Sequence, residues 1–163
     1  PQDTPRGSGV AGPFPCLLNH HGGGFAVWSP DVPFYDGFSV RLCARERVVV
    51  VSVDYRLSSE EPFPAGLNDC MSALEWACVG GDGALDTTAP GEGVILFGDS
   101  CGSNFVLALT LMAKRRGMLS AVKGVFAVSP FIAGEQCYPC DKLPSTVRSL
   151  TGQGWAPTYP SVA

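Results

Sequence analysis

Four short apolar runs, of which 48–53 is almost entirely β-branched, alternate along the chain with three stretches in which apolar residues recur every three or four positions. Short apolar runs are typical of strands buried on both faces of a parallel sheet, and the longer spacing is typical of helices that pack on it. The predicted strands are 15–19, 48–53, 93–97 and 122–128, and the predicted helices are 34–47, 67–78 and 102–116. This alternation predicts an α/β fold of three layers, with helices on both faces of a parallel sheet.

Three segments lack this periodicity. Residues 1–13 and 81–92 are rich in glycine, proline and polar residues, which predicts loops. Residues 134–163 contain four prolines and little regular pattern. We therefore expect one partial α/β domain across residues 1–163, with its core in 15–133 and an irregular tail in 134–163.

Composition excludes several classes of protein. The 163 residues suffice for one domain with a hydrophobic core, and 45% hydrophobic against 16% charged residues is typical of globular chains. A net charge of −4 offers no basic surface for nucleic acid. No apolar run approaches the roughly 18 residues that span a bilayer, and no signal peptide is visible at the start. We expect a small-molecule ligand, no nucleic-acid partner and no transmembrane segment.

The seven cysteines lie mostly within apolar patterns, which favours buried thiols in a reducing compartment, with the cytoplasm preferred. Cys137 and Cys140 have the C-x-x-C spacing. Without a second pair or nearby histidines this spacing is a weak signal, so chance or structural cysteines are favoured over a redox or zinc site.

Residues 98–102 have the form Gly-x-Ser-x-Gly and stand between a predicted strand and a predicted helix. A serine on such a sharp turn projects its hydroxyl out of the sheet, in position to attack a carbonyl carbon. Ser100 is therefore the candidate nucleophile. The alternative is an ordinary glycine-rich turn into a helix that binds nothing.

His21 precedes three successive glycines, and these let backbone N–H groups converge on one point without a Cβ in the way. The amides of Gly23 and Gly24, with that of Cys101, are candidate donors to the oxyanion of acyl transfer. A flexible loop or a phosphate cradle are the alternatives. A phosphate loop normally continues with Lys-Ser/Thr, whereas Phe25 and an alanine follow here.

Four segments in register, 21–25, 53–57, 62–65 and 98–104, resemble the hormone-sensitive-lipase family of α/β-hydrolases over residues 15–133. That family includes bacterial esterases, arylacetamide deacetylases and plant carboxylesterases. The resemblance implies a carboxylic ester hydrolase that acts on small esters without a metal or organic cofactor. It implies four strands in the spatial order second, first, third, fourth. The residues it implies for the site are Ser100 as nucleophile, Gly22, Gly23, Gly24 and Cys101 around the oxyanion, and His21 and Asp99 as motif support.

The chain departs from the family pattern at three places. Cys101 and Ser103 replace small residues after the nucleophile, and 58–61 reads Ser-Ser-Glu-Glu where Ala-Pro-Glu-His is usual. The third departure is the most serious, because the family's acid and histidine follow the fourth of these strands. Downstream of Ser100 this sequence has only Glu135 and Asp141 as acids and no histidine.

Three interpretations follow. In the first, the sequence is a piece of a working esterase whose acid and histidine lie elsewhere in the full protein. In the second, it is a non-catalytic binding protein or inactive remnant, as the plant gibberellin receptors keep the pocket and lose the histidine. In the third, His20, His21 or Lys114 replaces the base, which is disfavoured because both histidines adjoin the glycine loop and the lysine lies at the far end of its helix.

Overall fold

The computed structural model describes residues 12–132 and contains a four-stranded parallel sheet. Its strands are β1 (Cys16–His20), β2 (Val49–Val53), β3 (Val94–Asp99) and β4 (Val122–Val128). They lie in the order β2-β1-β3-β4, and all three pairings are parallel. The α/β class and the strand order that the resemblance implied are both confirmed.

Helices connect the strands and cover both faces of the sheet. They are α1 (Pro33–Glu46), α2 (Ala65–Cys78), α3 (Ala89–Glu92) and α4 (Cys101–Arg115). The prediction of a loop over 81–92 is wrong in part, because this segment forms a 3₁₀ turn at Gly81–Gly83 and the short helix α3. A single helical turn is too short to show the periodicity on which the prediction depended.

The hydrophobic core lies between the sheet and helices α2 and α4. Alternation along the strands directs Leu18 and Leu96 into this layer, where they are fully buried. Their neighbours on the opposite face meet α1, where the ring of Phe38 stacks on that of Phe97 with centroids 5.0 Å apart. The fully buried helix residues of the core are Cys70, Leu74, Ala77, Val106, Leu109 and Ala113.

Strand β2 is less buried than its β-branched run predicts. The run 48–53 indicates a strand covered on both faces, but only Val53 in β2 is buried and its other residues are half-exposed. The reason is positional, since β2 and β4 are the outer strands of the described sheet and each has one strand neighbour there. Hydrophobic pattern alone does not distinguish a central strand from an outer one.

By density of internal contacts the chain divides into two units, Pro1–Pro130 and Phe131–Ala163. All the helices and strands above lie in the first unit. The predicted irregular tail, 134–163, lies outside the described residues. Within residues 12–132 no helix has the length and apolar character needed to cross a membrane.

Candidate active site

Parallel pairing brings the glycine loop and the serine turn to the same edge of the sheet. His20, the last residue of β1, is paired with Gly98 of β3. The segments that leave these two strands, 21–25 and 99–101, therefore begin side by side at the carboxyl ends of neighbouring strands. Ligands bind at such an edge in open α/β sheets.

Ser100 is a single residue between β3 and α4, with φ 51° and ψ −118°. This left-handed conformation is strained for a residue with a side chain, and such strain is concentrated at functional sites. The glycines on either side permit the sharp turn: a Cβ on Gly98 would lie 2.4 Å from the Gly102 backbone, and a Cβ on Gly102 would lie 2.1 Å from the His20 carbonyl oxygen. Ser100 is exposed, and its backbone N–H donates to the Val128 carbonyl at 2.9 Å.

The glycine loop turns sharply at Gly23 and Gly24, whose φ angles are +121° and +61°. The Gly23 carbonyl accepts hydrogen bonds from the N–H groups of Ala26 and Val27, both at 3.1 Å. Within residues 12–132 the structure assigns no hydrogen bond to the N–H of Gly23, Gly24 or Cys101. These three amides are therefore available as donors to a ligand.

Gly22 has a different role from the two glycines that follow it. Its N–H donates to the Tyr35 hydroxyl at 2.8 Å, and this hydroxyl donates to Asp99 Oδ2 at 2.9 Å. A Cβ on Gly22 would lie 2.5 Å from the same Asp99 oxygen. Gly22 is thus needed for close approach to Asp99, and its amide is already used.

Tyr35 is the one buried residue of α1, with 4% of its surface exposed. Burial, followed by the hydrogen bond to Asp99, raises its pKa to about 12. The hydroxyl therefore keeps its proton at ordinary pH and remains a donor to the carboxylate.

The far end of the loop is held by Cys101, the residue after Ser100. The Phe25 N–H donates to Cys101 Sγ at 3.2 Å. The two sequence neighbours of Ser100 thus hold opposite ends of the loop, Asp99 through Tyr35 at Gly22 and Cys101 directly at Phe25.

His21 packs within the loop. Its ring stacks on Tyr55 with centroids 4.3 Å apart, and its Nδ1–H donates to the Gly22 carbonyl at 2.7 Å. The Tyr55 hydroxyl donates to the His21 carbonyl at 2.6 Å. Burial lowers the pKa of His21, so the ring is neutral at pH 7. These contacts hold the His21 ring against the loop and Tyr55.

His20 is also unsuited to act as a base at Ser100. Its side chain is fully buried, its Nδ1–H donates to the Phe97 carbonyl at 3.1 Å, and burial lowers its pKa to about 4. Lys114 lies in the last turn of α4, about 20 Å along the helix from the serine turn at 1.5 Å per residue. Among residues 12–132 no side chain is hydrogen-bonded to the Ser100 hydroxyl, so the interpretation with a replacement base gains no support.

The departures from the family motifs form contacts of their own. The Ser103 hydroxyl lies 2.7 Å from the Gly98 carbonyl and 2.8 Å from the Val128 carbonyl, where it links β3 to β4. The Ser59 hydroxyl donates to the Ala26 carbonyl at 3.2 Å. The Ser58 N–H likewise donates to the Phe25 carbonyl at 2.7 Å, so segment 58–59 holds the outside of the glycine loop.

Sequence reasoning missed Tyr35, the contacts of Tyr55 and the contact of Ser59. Tyr35 lies 13 residues from Gly22 and 64 from Asp99, so no local pattern connects them. The one usable signal for Tyr55 was its place in the motif 53–57.

Cysteines within residues 12–132 are all free thiols; Cys16, Cys70 and Cys101 are buried, as predicted, and Cys43 and Cys78 are half-buried. In this part of the chain no group of three histidine, cysteine or acidic side chains is arranged to hold a metal ion. The Cys137–Cys140 pair, Glu135 and Asp141 lie outside the described residues.

Comparison with known proteins agrees with the fold. Residues 17–151 match the family described as alpha/beta hydrolase fold. The chain belongs to this family. Several of its relatives are named as probable carboxylesterases, and one similar solved structure is a homologue of hormone-sensitive lipase, which confirms the resemblance to that family.

Three proteins illustrate the similarity. Probable carboxylesterase 3 of Arabidopsis thaliana is 30% identical over 122 residues, which cover 75% of this chain and 39% of that protein. The solved structure of brefeldin A esterase, a bacterial homologue of human hormone-sensitive lipase, is 34% identical with a TM-score of 0.68 and covers 88% of this chain and 39% of its own. Esterase Est22 with p-nitrophenol is 32% identical with a TM-score of 0.71, covering 82% and 40%. The chain thus spans about two fifths of the length of these α/β-hydrolases.

Proposed function

We propose that this chain carries the nucleophile and the oxyanion site of a carboxylic ester hydrolase. The observation that carries the proposal is that the strained, exposed Ser100 and the glycine loop leave neighbouring strands side by side. The Gly23 and Gly24 amides of that loop have no hydrogen bond within residues 12–132. Both ends of that loop are held by the residues on either side of Ser100. A nucleophile beside preorganised donors is the arrangement that acyl transfer requires.

In the proposed reaction, Ser100 Oγ attacks the carbonyl carbon of a small ester and loses its proton to a general base. The carbonyl oxygen becomes an oxyanion that accepts from the amides of Gly23, Gly24 and Cys101. The tetrahedral intermediate then expels the alcohol, which takes the proton from the base. Water, activated by the same base, attacks the acyl group and frees Ser100 with release of the acid.

No candidate for the general base is found among residues 12–132. The two histidines of the 163 residues, His20 and His21, are both buried and bonded elsewhere. We propose that the full protein supplies an acid and a histidine outside the chain, since the chain spans about two fifths of its relatives. The 163 residues alone then turn over esters only slowly.

A non-catalytic binding protein is the second candidate, favoured by the absence of a histidine after Ser100 in the sequence. The coding sequence beyond residue 163 separates the two candidates. An in-frame aspartate followed by a histidine about 30 residues later supports the esterase. A stop codon directly after Ala163 contradicts it for this polypeptide.

The chemical test uses p-nitrophenyl acetate, with p-nitrophenol release and intact mass as readouts. The 163-residue chain is compared with Ser100→Ala, with and without added imidazole as an external base. We expect little turnover without imidazole, and with it a Ser100-dependent rate and an acetyl group on the Ser100 peptide. Equal rates and no acetyl-Ser100 in the presence of imidazole contradict the nucleophile assignment.

A further inference from the structure

We propose that Tyr35 is a positioning residue of this acyl-transfer site: its hydroxyl couples the Gly22 end of the glycine loop to Asp99 and thereby sets the distance between the oxyanion donors and Ser100. The inference rests on the proposed function of Ser100 and assigns a role to a helix α1 residue that belongs to none of the four motifs.

The first argument is chemical complementarity. Gly22 presents an N–H donor and Asp99 a carboxylate acceptor, and a single hydroxyl stands between them at 2.8 and 2.9 Å. A hydroxyl can accept on one side and donate on the other, whereas a carboxylate or an ammonium cannot do both. Phenylalanine in place of Tyr35 would leave the buried Gly22 N–H and the half-buried Asp99 carboxylate without their shared partner.

The second argument is the tightness of the site. Tyr35 is 4% exposed and packs edge-to-face against Phe34, with ring centroids 5.2 Å apart. A Cβ on Gly22 would lie 2.9 Å from the Tyr35 hydroxyl oxygen, so the loop backbone rests directly on the ring's polar end. A displacement of this hydroxyl therefore moves the backbone that carries the next two amides, Gly23 and Gly24.

The third argument is that Asp99, which accepts from Tyr35, directly precedes the nucleophile in sequence. Asp99 is joined to Ser100 by one peptide bond, and Gly22 to Gly23 by another. The Tyr35 side chain thus connects two pairs of adjacent residues, Asp99–Ser100 with the nucleophile and Gly22–Gly23 with the first oxyanion donor. Displacements near 1 Å at a reacting site cost up to about 100-fold in rate, so such a connection matters for catalysis.

The test uses the 163-residue chain with an alkyl fluorophosphonate and imidazole. In this reaction Ser100 Oγ forms a bond to phosphorus, the P–F bond breaks with release of fluoride, and imidazole takes the serine proton. Intact mass gives the maximal labelling rate and the concentration for half of it. For Tyr35→Phe we expect a roughly 10- to 100-fold lower maximal rate at an unchanged half-saturating concentration.

Three further variants distinguish positioning from folding. Phe38→Leu loosens the same helix at its stack on Phe97, away from the bridge, and is expected to lower stability while leaving the maximal labelling rate of the folded fraction unchanged. Asp99→Leu is expected to reproduce the Tyr35→Phe defect, and Asp99→Asn, whose amide oxygen still accepts from Tyr35, to recover most of it. A Tyr35→Phe defect that merely follows the loss of folded protein, as in Phe38→Leu, overturns the proposal.

Hydrogen exchange provides a readout independent of chemistry. In Tyr35→Phe the Gly22 amide is expected to exchange at least 10-fold faster, with no such change in Phe38→Leu. If wild-type Ser100 is not labelled, the proposed function fails, and the exchange of Gly22 still decides whether Tyr35 holds the loop. Unchanged Gly22 exchange in Tyr35→Phe overturns the proposal whatever the labelling result.

Discussion

The N–H of Phe25 donates to the sulfur of Cys101, 3.2 Å away and 76 residues later in the chain. Cys101 stands where small residues are usual in this family. Its sulfur accepts the hydrogen bond of the Phe25 N–H, at the end of the glycine loop. We predict that Cys101→Ala lowers the free energy of unfolding by about 1–2 kcal/mol and accelerates hydrogen exchange at Phe25. Cys70→Ala is the matched control, because Cys70 is equally buried and lies on α2; it should cost stability without changing Phe25 exchange.

Backbone strain at Ser100 predicts an opposition between stability and chemistry. Glycine adopts φ 51° without the steric cost that a Cβ brings, whereas alanine keeps that cost and removes only the hydroxyl. We predict that Ser100→Gly is more stable than Ser100→Ala by about 1 kcal/mol and that neither is acylated. Chemical denaturation compares the two directly. Equal stabilities would show that Ser100 carries no strain.

The first and third glycines of the loop, Gly22 and Gly24, should differ in their tolerance of a methyl group. A Cβ on Gly22 meets Asp99 Oδ2 at 2.5 Å and the Tyr35 hydroxyl at 2.9 Å, while a Cβ on Gly24 meets no atom within 4 Å. We predict that Gly22→Ala costs more than about 2 kcal/mol, because the bridge must separate. Gly24→Ala should cost about 1 kcal/mol, from its φ of +61° alone. A thermal melt of both variants tests the order, and a larger loss at Gly24 contradicts it.

Burial of His20 predicts a dependence of stability on pH. In the folded protein its pKa is lowered from 6.5 to about 4, so the unfolded chain binds a proton first as the pH falls. The stability associated with a neutral His20 is therefore present above pH 6.5 and is lost as the pH falls toward 4, by up to about 3 kcal/mol. Denaturation at a series of pH values tests this.

The control for this pH prediction is His20→Gln, which removes the titrating ring. Its unfolding free energy should fall less steeply between pH 6.5 and 4 than that of the wild type. His21, whose pKa burial also lowers, contributes in the same direction and remains in both proteins. Identical slopes would place the pH dependence elsewhere.

The outer strands of the described sheet predict self-association of the 163-residue chain. Strand β4 has one strand neighbour in this sheet and exposes the large apolar side chains of Phe126 and Val128. Unpaired strand edges with apolar side chains favour edge-to-edge association. We predict that Phe126→Lys raises the soluble fraction, whereas Leu111→Lys, at a similarly exposed position on α4, does not. A monomeric gel-filtration peak with a cooperative melt for the wild type contradicts this.

The sequence by itself determined the elements whose cause is local. Strand β4 was predicted with the bounds observed, and Ser100 was predicted on a strand-to-helix turn, because β-branched runs and flanking glycines act through neighbours a few residues away. The four motifs also determined the strand order through family resemblance, since that order is a property of the whole family.

Only the tertiary structure decided how the site is held together. Gly22, Tyr35 and Asp99 meet because parallel pairing sets the end of β1 beside that of β3 and α1 packs over both. These relations join residues 13 to 78 positions apart. The same pairing decided which glycine amides are already bonded and which are available, and it made β2 an outer strand. Hydrogen bonds between distant residues depend on strand register and on packing, and neither is encoded in the spacing of residues along one segment.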